Sequence, residues 1–389
     1  MDRPIDVLLR VVRQEILKTD TDRSPMEPLT GEMQMALYTL AKKHSLAGLV
    51  GQALEAQGLL KDSTASALFQ NAMFNEIYHY EKMNFVYHMI CDALEEAQIP
   101  YLPLKGAILR QYYPQPWMRT SGDIDILVPK NWIRQAEKIL ADKFDVDIYK
   151  IYGSGHDISF YSKDGIHVEL HYDLMEDDRA GKSPRVLKKT WEHARSVSPG
   201  TYRYVMDDAM FYFYHIAHLS KHFEAGGCGI RFFLDTQLLL ERIQSDRFQV
   251  DCLLKEGSLL TFEEAVRQLC QVWFSGKEHD TRSRQVESFV LDSGIFGTLE
   301  NVYINRRRRY GGTVRYFLSR VFIPYQSLKD KYPIVKRWPI LTPVYEVYRL
   351  FQLLFGRKRF YLETYFKATK TDGAAKAKAI TELMDMVGL

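Results

Sequence analysis

Apolar residues in the first hundred positions recur at helical intervals. The clearest stripe starts after Asp62 and Ser63 and returns at three- and four-residue steps, with Asn84 as a polar interruption. Its members are Phe69, Met73, Ile77, Tyr80, Tyr87, Cys91 and Leu94. Pro100 fixes its own φ and disfavours helical geometry at the residue before it, so this helix must end first. The pattern predicts a helical N-terminal region over residues 1–98.

Short alternating runs replace the helical spacing after Pro100. PYLPLKG, DIDILV, DVDIYKIY, DISFY and IHVELHY are typical of strands, whereas AILRQYY and NWIRQAEKILADKF are typical of helices. Helices that alternate with strands, followed by a group of strands, predict an α+β domain with a mixed sheet core over residues 99–200. Helical spacing returns after Asp207 and predicts a helical domain over 201–300, with a basic, aromatic-rich helical region over 301–389.

Composition predicts a folded globular protein, because 46% of the 389 residues are hydrophobic and 13% are aromatic. The first twenty residues are charged throughout, and no apolar run reaches the roughly 18 residues that a membrane-spanning helix needs. We therefore expect a cytoplasmic protein.

Positive charge is concentrated near the C-terminus. The net charge is +3, yet residues 301–370 hold 16 Lys and Arg against 3 Asp and Glu. Aromatic residues are interleaved with these cations after the run Arg306–Arg309. They include Tyr310, Tyr316, Phe317, Phe322, Trp338, Tyr345 and Phe351. This combination suits an anionic partner or a membrane surface, with nucleic acid less favoured but still open, and a simple solvated face is the alternative.

Two carboxylates interrupt the apolar strand DIDILV. Side chains alternate along a strand, so Asp123 and Asp125 project from one face while the isoleucines pack on the other. A buried carboxylate is costly unless it is paired or bound to a metal. Two such groups on one face suit Mg²⁺, which takes one or two carboxylates together with substrate phosphates.

A second strand supplies a third acid. IHVELH places His167, Glu169 and His171 on one face. If this strand neighbours DIDILV, Glu169 completes a three-carboxylate cluster of the kind that holds two metal ions for phosphoryl or nucleotidyl transfer. Zinc bound by both histidines is the competing interpretation, although positions i and i+4 on a strand lie about 13 Å apart.

A phosphate-binding turn is predicted upstream. LPLKGAIL reads as a strand that ends at Lys105-Gly106 and opens a short helix, whose free N–H groups and positive end favour phosphate. Lys105 would add a point charge for a triphosphate. An ordinary strand-to-helix turn is the alternative.

The ordered set KGA, R-x-x-G-D-I-D-I-L-V and H-V-E-L-H resembles the nucleotidyltransferase superfamily of the DNA polymerase β type, in particular its bacterial branch of uncharacterised nucleotidyltransferases. The tail Y-P…L-T-P-x-Y and the pair H-x-x-K-H…G-I-R-F-F-L-D also look like that branch. The resemblance implies a polymerase β-like fold and Mg²⁺- or Mn²⁺-dependent transfer of a nucleoside monophosphate from an NTP to an acceptor, with release of pyrophosphate.

Carried onto this sequence, the resemblance implies that Asp123, Asp125 and Glu169 bind the metal and act in catalysis. It places the phosphate-gripping turn at Gly106. We expect nucleotide contacts from four residues, namely Lys105, Gly106, Arg119 and Gly122. The sequence departs from the superfamily at Ala107, where a serine or glycine usually follows the glycine, so Lys105 would have to substitute for the serine.

Other polar residues have two interpretations each. Arg119 either contacts phosphate or pairs with an acidic neighbour. Substrate contact is the functional interpretation of His167, His171, His218, His222, Arg231 and Asp235. For the last four, which lie one turn apart in pairs, the alternative is a polar helix–helix contact with an intrahelical Arg231–Asp235 ion pair.

Two other functions remain open from the sequence. A binding or regulatory protein could keep the nucleotidyltransferase fold without turnover, as the missing serine suggests. A DxD glycosyltransferase would need a longer Rossmann-like sheet before its acids than the helical first hundred residues provide.

Overall fold

The structure is a computed structural model. It describes residues 3–18, 26–145, 152–153, 156–175, 182–243, 246–295, 297–312, 332–355 and 371–389, with single positions between 315 and 328. Contacts divide the chain into two compact units. One comprises Met1–Lys221, Gly229–Ile295 and Gly388–Leu389, and the other His222–Cys228 and Phe296–Val387. Residues 146–151 of the predicted strand DVDIYKIY, and Phe317 and Phe322, lie outside the described residues.

Helices make up the beginning of the first unit. They are α1 (Pro4–Val12), a π-helical turn (Arg13–Leu17), α2 (Gly31–Lys43), α3 (Ala47–Ala56) and α4 (Ser63–Glu96). The long helix α4 begins where the sequence predicts, because Asp62 Oδ1 accepts a hydrogen bond from the N–H of Ala65 at 2.8 Å. It also ends before Pro100.

A mixed sheet follows. Its described strands are β1 (Leu102–Pro103), β2 (Asp123–Leu127), β3 (Tyr152–Gly153), β4 (Asp157–Tyr161) and β5 (His167–His171), in the spatial order β1-β2-β5-β4-β3. Only β2 and β5 pair in parallel among these strands. Between β1 and β2 the chain forms α5 (Lys105–Leu109) and two short 3₁₀ turns (Arg110–Tyr112 and Pro116–Met118), and α6 (Ile133–Phe144) lies between β2 and β3.

The apolar face of the sheet fixes the direction of the acids. Ile124, Ile126 and Val128 are buried in one core cluster with residues of α4, α6 and β5. Because side chains alternate along a strand, this packing directs Asp123 and Asp125 to the opposite face.

The remaining elements of the first unit are mostly helical. They are α7 (Ser183–Leu187), a 3₁₀ turn (Thr190–His193), the hairpin of β6 (Ala194–Ser196) and β7 (Tyr204–Met206), α8 (Asp208–Ala225), α9 (Ile230–Arg242), α10 (Arg247–Glu256), α11 (Leu260–Ser275) and α12 (Thr281–Ser293). The last residues of α8 belong to the second unit.

The second unit contains α13 (Leu299–Arg309), α14 (Pro333–Arg337), a 3₁₀ turn (Pro339–Leu341), α15 (Thr342–Phe355) and α16 (Thr371–Val387). Part of its arginine run is paired internally, since Arg309 contacts Glu224 and Arg308 Nη1 lies 3.2 Å from Asp385 Oδ1. None of the described helices is long and apolar enough to cross a membrane. The four regions predicted from the sequence stay a prediction.

Candidate active site

Three acids meet where β2 and β5 run side by side. The register pairs Asp125 with Glu169 and Asp123 with His167. Paired residues of adjacent strands point to the same side of a sheet and lie about 5 Å apart, so the three carboxylates share one face. The predicted three-carboxylate cluster required β2 and β5 to be neighbouring strands, and they are neighbours in the sheet.

Two basic side chains hold the central acid. Lys105 Nζ lies 2.8 Å from Asp125 Oδ1, and His171 Nε2 lies 2.9 Å from the same oxygen. His171 Nε2 also lies 3.3 Å from Glu169 Oε2, so the imidazole bridges the two register partners. The Asp125 side chain is almost fully buried, and these contacts offset the cost of placing its charge there.

The acids differ in their tendency to ionise. Burial opposes ionisation of Asp125, but Lys105 and His171 outweigh it and hold the pKa of that carboxyl well below its ordinary value. The charge on Asp125, together with burial, raises the pKa of Asp123. The hydrogen bond from His171 lowers the pKa of Glu169. Asp125 is therefore the carboxylate most strongly held in its charged form.

The donor set fits a hard divalent cation. Asp123, His167 and Glu169 have ligand atoms within 4.8 Å of one another, and so do Asp125, Glu169 and His171. Glu169 belongs to both sets, and carboxylate oxygens are what Mg²⁺ and Mn²⁺ prefer.

A third set on the same sheet comprises His156, Asp157 and His171. Across the described residues, no set contains both His167 and His171. The zinc interpretation, which required these two to share one ion, therefore finds no support there.

The Lys105-Gly106 turn is tied to the acidic strand. Lys105 begins α5 with a φ of 36°, and the N–H of Leu104 donates to the Asp125 carbonyl at 3.0 Å. A Cβ on Gly106 would lie 3.0 Å from both Arg119 Nη1 and Ser121 Oγ. Glycine therefore allows the segment before β2 to approach the turn closely. Lys105 reaches Asp125 in this arrangement.

Arg119 is paired with an acid. Its Nη2 lies 3.0 Å from Asp235 Oδ2, and the Tyr113 hydroxyl donates to Asp235 Oδ1 at 2.8 Å. The Arg119 and Asp235 side chains are 6% and 0% exposed. Of the two roles left open by the sequence, the structure has Arg119 in the ion pair.

The predicted intrahelical pair of Arg231 and Asp235 is wrong. Arg231 Nη1 donates instead to the Thr120 carbonyl at 2.6 Å and to Thr120 Oγ1 at 2.9 Å. Helical spacing placed these residues on a common side but could not reveal that Asp235 faces Arg119. Both arginine contacts join α9 to the segment that leads into β2.

The predicted histidines are spread over the fold. His167 stacks on Tyr161, with ring centroids 4.7 Å apart, and its Nδ1 lies 3.7 Å from Glu169 Oε1. The His218 ring lies 5.8 Å from that of Phe232. His222 belongs to the second unit, where its carbonyl accepts a hydrogen bond from the N–H of Gly227.

Gly122 directly precedes Asp123, and a Cβ there would meet nothing within 4 Å. Steric packing therefore does not explain why this position is glycine.

The sequence did not single out Tyr214 or Arg110. Tyr214 lies on α8 and lines a narrow crevice with Lys105 and His218, and burial raises its pKa. Its position one turn before His218 was the available signal. Arg110 Nε donates to the Gly106 carbonyl at 2.8 Å, one helical turn back.

The chain is similar to a known protein family. A family model described as an uncharacterised nucleotidyltransferase matches residues 32–275. This span is more than half of the chain and includes the three acids, the glycine turn and the helices α8 and α9. Neither a curated protein nor a solved structure matches the chain.

Proposed function

The chain belongs to the family of uncharacterised nucleotidyltransferases, and from that premise we propose that it transfers a nucleoside monophosphate from an NTP to an acceptor hydroxyl, releasing pyrophosphate. It is a transferase by family. The observation that carries the proposal is the parallel register of β2 and β5, which brings Glu169 alongside Asp125 on one polar face.

The proposed core is of the polymerase β type. Three features support it: an antiparallel β1–β2 pair with a glycine turn and short helix between them, the acids Asp123 and Asp125 on β2, and the third acid on the parallel neighbour β5. The sheet is mixed, with helices packed on its apolar face.

We assign Asp123, Asp125 and Glu169 to the binding of Mg²⁺, with Mn²⁺ as a substitute. A divalent cation held by these oxygens supplies positive charge that polarises the acceptor oxygen and offsets the charge of the reacting phosphates. Asp125 is already ionised in its environment, as a metal ligand must be.

Each of these residues has a role in the proposed transfer. The acceptor oxygen bonds to the α-phosphorus, the bond from that phosphorus to the β-phosphate oxygen breaks, and pyrophosphate leaves. Glu169 takes the hydroxyl proton, and it is half-buried beside His171. Lys105 and the Gly106 turn hold the triphosphate, with Gly122 beside them. Because Lys105 Nζ contacts Asp125, it must exchange that contact for phosphate when nucleotide binds.

Arg119 serves the site from a distance in this proposal. Its guanidinium is engaged by Asp235, so it positions the segment leading to Asp123 and does not donate to phosphate. His167, His171 and His218 remain candidates for substrate contact near the acids, since each lies on β5 or beside Lys105.

Calorimetric titration of ATP, CTP, GTP and UTP, with and without Mg²⁺, tests the proposal. Metal-dependent binding of at least one NTP is expected. No binding under any condition would favour the regulator without turnover, which Ala107 and the Lys105–Asp125 contact support. The glycosyltransferase alternative gains nothing from the described sheet, where one strand pair alone is parallel.

We also propose that the basic C-terminal region binds an anionic membrane surface. Large apolar side chains are exposed together along the 3₁₀ turn and α15, at the spacing of one helix face. They are Ile340, Val344, Val347, Tyr348 and Phe351, with Trp338 just before them. Ile340 is 84% exposed and Val347 67%.

The charge around this apolar face suits the phospholipid interface. Lys336 and Arg337 precede it on α14, and Arg357, Lys358 and Arg359 follow it in the sequence. An interfacial helix buries its apolar face among lipid headgroups and is attracted by anionic lipids. Nucleic acid would engage the cations but gives no reason for exposed aliphatic side chains. A cytoplasmic protein peripheral to the membrane fits this proposal.

A further inference from the structure

A cavity of about 190 Å³ lies between α4, α5 and the start of β2 in the first unit. Arg110 and Arg203 line it, together with the amides of Asn84 and Gln111. Asp123, the first acid of the proposed metal site, lines it as well. The cavity therefore combines cationic and amide donors with one edge of the active site.

Arg110 is a buried cation without an acid. Its Nε donates to the Gly106 carbonyl at 2.8 Å, and its Nη2 donates to Ser121 Oγ at 2.7 Å. Among the described residues, no carboxylate forms an ion pair with it. Burial lowers the pKa of Arg110 to about 10, so its surroundings disfavour the charge that arginine nevertheless keeps at neutral pH. A bound anion would remove that deficit.

Arg203, which is half-buried, contributes a donor that is unpaired among the described residues. Its Nε is buried and finds no acceptor within the part of the chain that the structure describes. The backbone is held in place, because Arg203 pairs with Tyr101 and its carbonyl accepts a hydrogen bond from the N–H of Val197 at 3.0 Å. The side chain of Arg203 therefore extends from a fixed backbone position to line the cavity.

Two guanidinium groups at one cavity match the chemistry of a phosphate monoester. Such a group carries about 1.5 to 2 negative charges and three acceptor oxygens, and arginine binds it through parallel N–H donors. A single carboxylate would leave one of the two cations uncompensated. The other arginine nearby, Arg119, is already engaged by Asp235 and leaves the cavity to Arg110 and Arg203.

We propose that this cavity binds the phosphate group of a phosphorylated second substrate, through Arg110 and Arg203, beside Asp123. The inference rests on the proposed function, because it makes the acceptor of nucleotidyl transfer a molecule that carries a phosphate monoester in addition to the reacting hydroxyl. The triphosphate of the NTP occupies the Lys105 turn at the same time. Two anion sites therefore coexist, one at the Lys105 turn and one at this cavity.

Calorimetric titration of orthophosphate into protein saturated with a non-hydrolysable NTP analogue and Mg²⁺ tests the second site. We expect orthophosphate to bind the saturated protein and Arg203→Gln to weaken that binding roughly 10- to 100-fold, as expected for loss of a charge-assisted hydrogen bond. Gln111→Glu, at an exposed position on the cavity wall, weakens it as well by adding a negative charge. Arg134→Gln, at an exposed arginine outside the cavity, is the control and leaves it unchanged.

Orthophosphate binding that disappears on saturation with the analogue, or that responds to Lys105→Met but not to Arg203→Gln, overturns the inference. Those results would place the phosphate in the triphosphate site. Binding of the analogue, measured alone on the same samples, reports on the proposed function separately. If the protein binds the analogue but not orthophosphate, the proposed function stands and the second phosphate site is contradicted.

Discussion

Asp125 and Glu169 are register partners on adjacent parallel strands, and one imidazole nitrogen of His171 lies 2.9 Å and 3.3 Å from their carboxylates. This relationship joins residues 44 positions apart in the sequence. It gives the polar face of the sheet two fixed carboxylates, to which Asp123 adds a third.

Removing one carboxylate charge should strongly weaken metal binding without unfolding the protein. Asp123→Asn keeps the shape of the side chain and removes a charge that is only half-buried. We expect Mn²⁺ affinity in the presence of nucleotide to fall by more than the roughly 100-fold that loss of an outer-shell partner costs. Titration followed by electron paramagnetic resonance measures this. If the variant binds Mn²⁺ with the affinity of the wild type, Asp123 is not a metal ligand.

Lys105 should affect metal and nucleotide in opposite directions. Its ammonium competes for Asp125 Oδ1, so Lys105→Met should raise Mn²⁺ affinity at least tenfold when no nucleotide is present. At an effective dielectric constant of about 20, repulsion between the Lys105 ammonium and a nearby metal ion costs on the order of a few kcal/mol, which the variant removes. NTP affinity should fall in the same variant, because the triphosphate loses its cation. A fall in both affinities would contradict the exchange of Lys105 between Asp125 and phosphate.

The buried ion pair of Arg119 and Asp235 should matter for stability. Asp235→Asn leaves a buried guanidinium without its acid, which typically costs about 3–5 kcal/mol in the free energy of unfolding. Glu256→Gln is the matched control, because its pair with Lys189 is exposed and should contribute less than about 1 kcal/mol. Denaturant unfolding followed by tryptophan fluorescence compares them. Equal losses in the two variants would show that burial of the pair has no consequence.

Acid should destabilise the first unit through His215. Burial lowers the pKa of His215 from 6.5 to about 4. Between these two pH values the unfolded chain therefore binds a proton at His215 and the folded chain does not. The contribution of His215 to the free energy of unfolding is fully present above about pH 6.5 and is lost as the pH falls towards 4. The loss is on the order of 3 kcal/mol, at about 1.4 kcal/mol per pH unit.

His215→Asn isolates that contribution. The wild-type slope of unfolding free energy between pH 6.5 and 4 should exceed the slope of the variant. Comparing slopes matters because burial raises the pKa of Glu76 to about 7, and that acid favours the folded state at low pH. Parallel slopes would mean that His215 is protonated in the folded protein.

The C-terminal apolar face should bind vesicles of phosphatidylglycerol and not of phosphatidylcholine. Val347→Glu should weaken co-sedimentation about tenfold, because burying one such side chain contributes roughly 1.5 kcal/mol. Phe248→Glu, at a position 70% exposed on α10, is the matched control and should change nothing. If Val347→Glu instead dissociates a dimer in light scattering and vesicles never bind, the partner is a second copy of the chain.

Features set by local sequence were predictable. The N-cap at Asp62 and the stop before Pro100 define α4 from its own residues. Alternation along DIDILV and IHVELH put the acids on common faces, because the strand period of two is a local property. The apolar partners on the opposite faces then fixed which face is buried.

Contacts between distant residues were not predictable in the same way. Asp235 lies 116 positions from Arg119, and helical spacing suggested Arg231 as its partner instead. Lys105 was expected to meet phosphate, and its contact with Asp125 depends on how the turn packs against β2. Arg110 and Arg203 belong to no sequence motif. They were identified only from the structure, because both line one cavity and the buried Nε of Arg203 has no acceptor among the described residues.

Anomalous diffraction from crystals grown with Mn²⁺ and a non-hydrolysable NTP analogue tests the central claim most directly. We predict a manganese peak coordinated by Asp125 together with Asp123 or Glu169, with the triphosphate at the Lys105-Gly106 turn, and loss of that peak in Asp125→Asn. A nucleotide bound elsewhere, or bound in this cleft with no metal at these carboxylates, would contradict it.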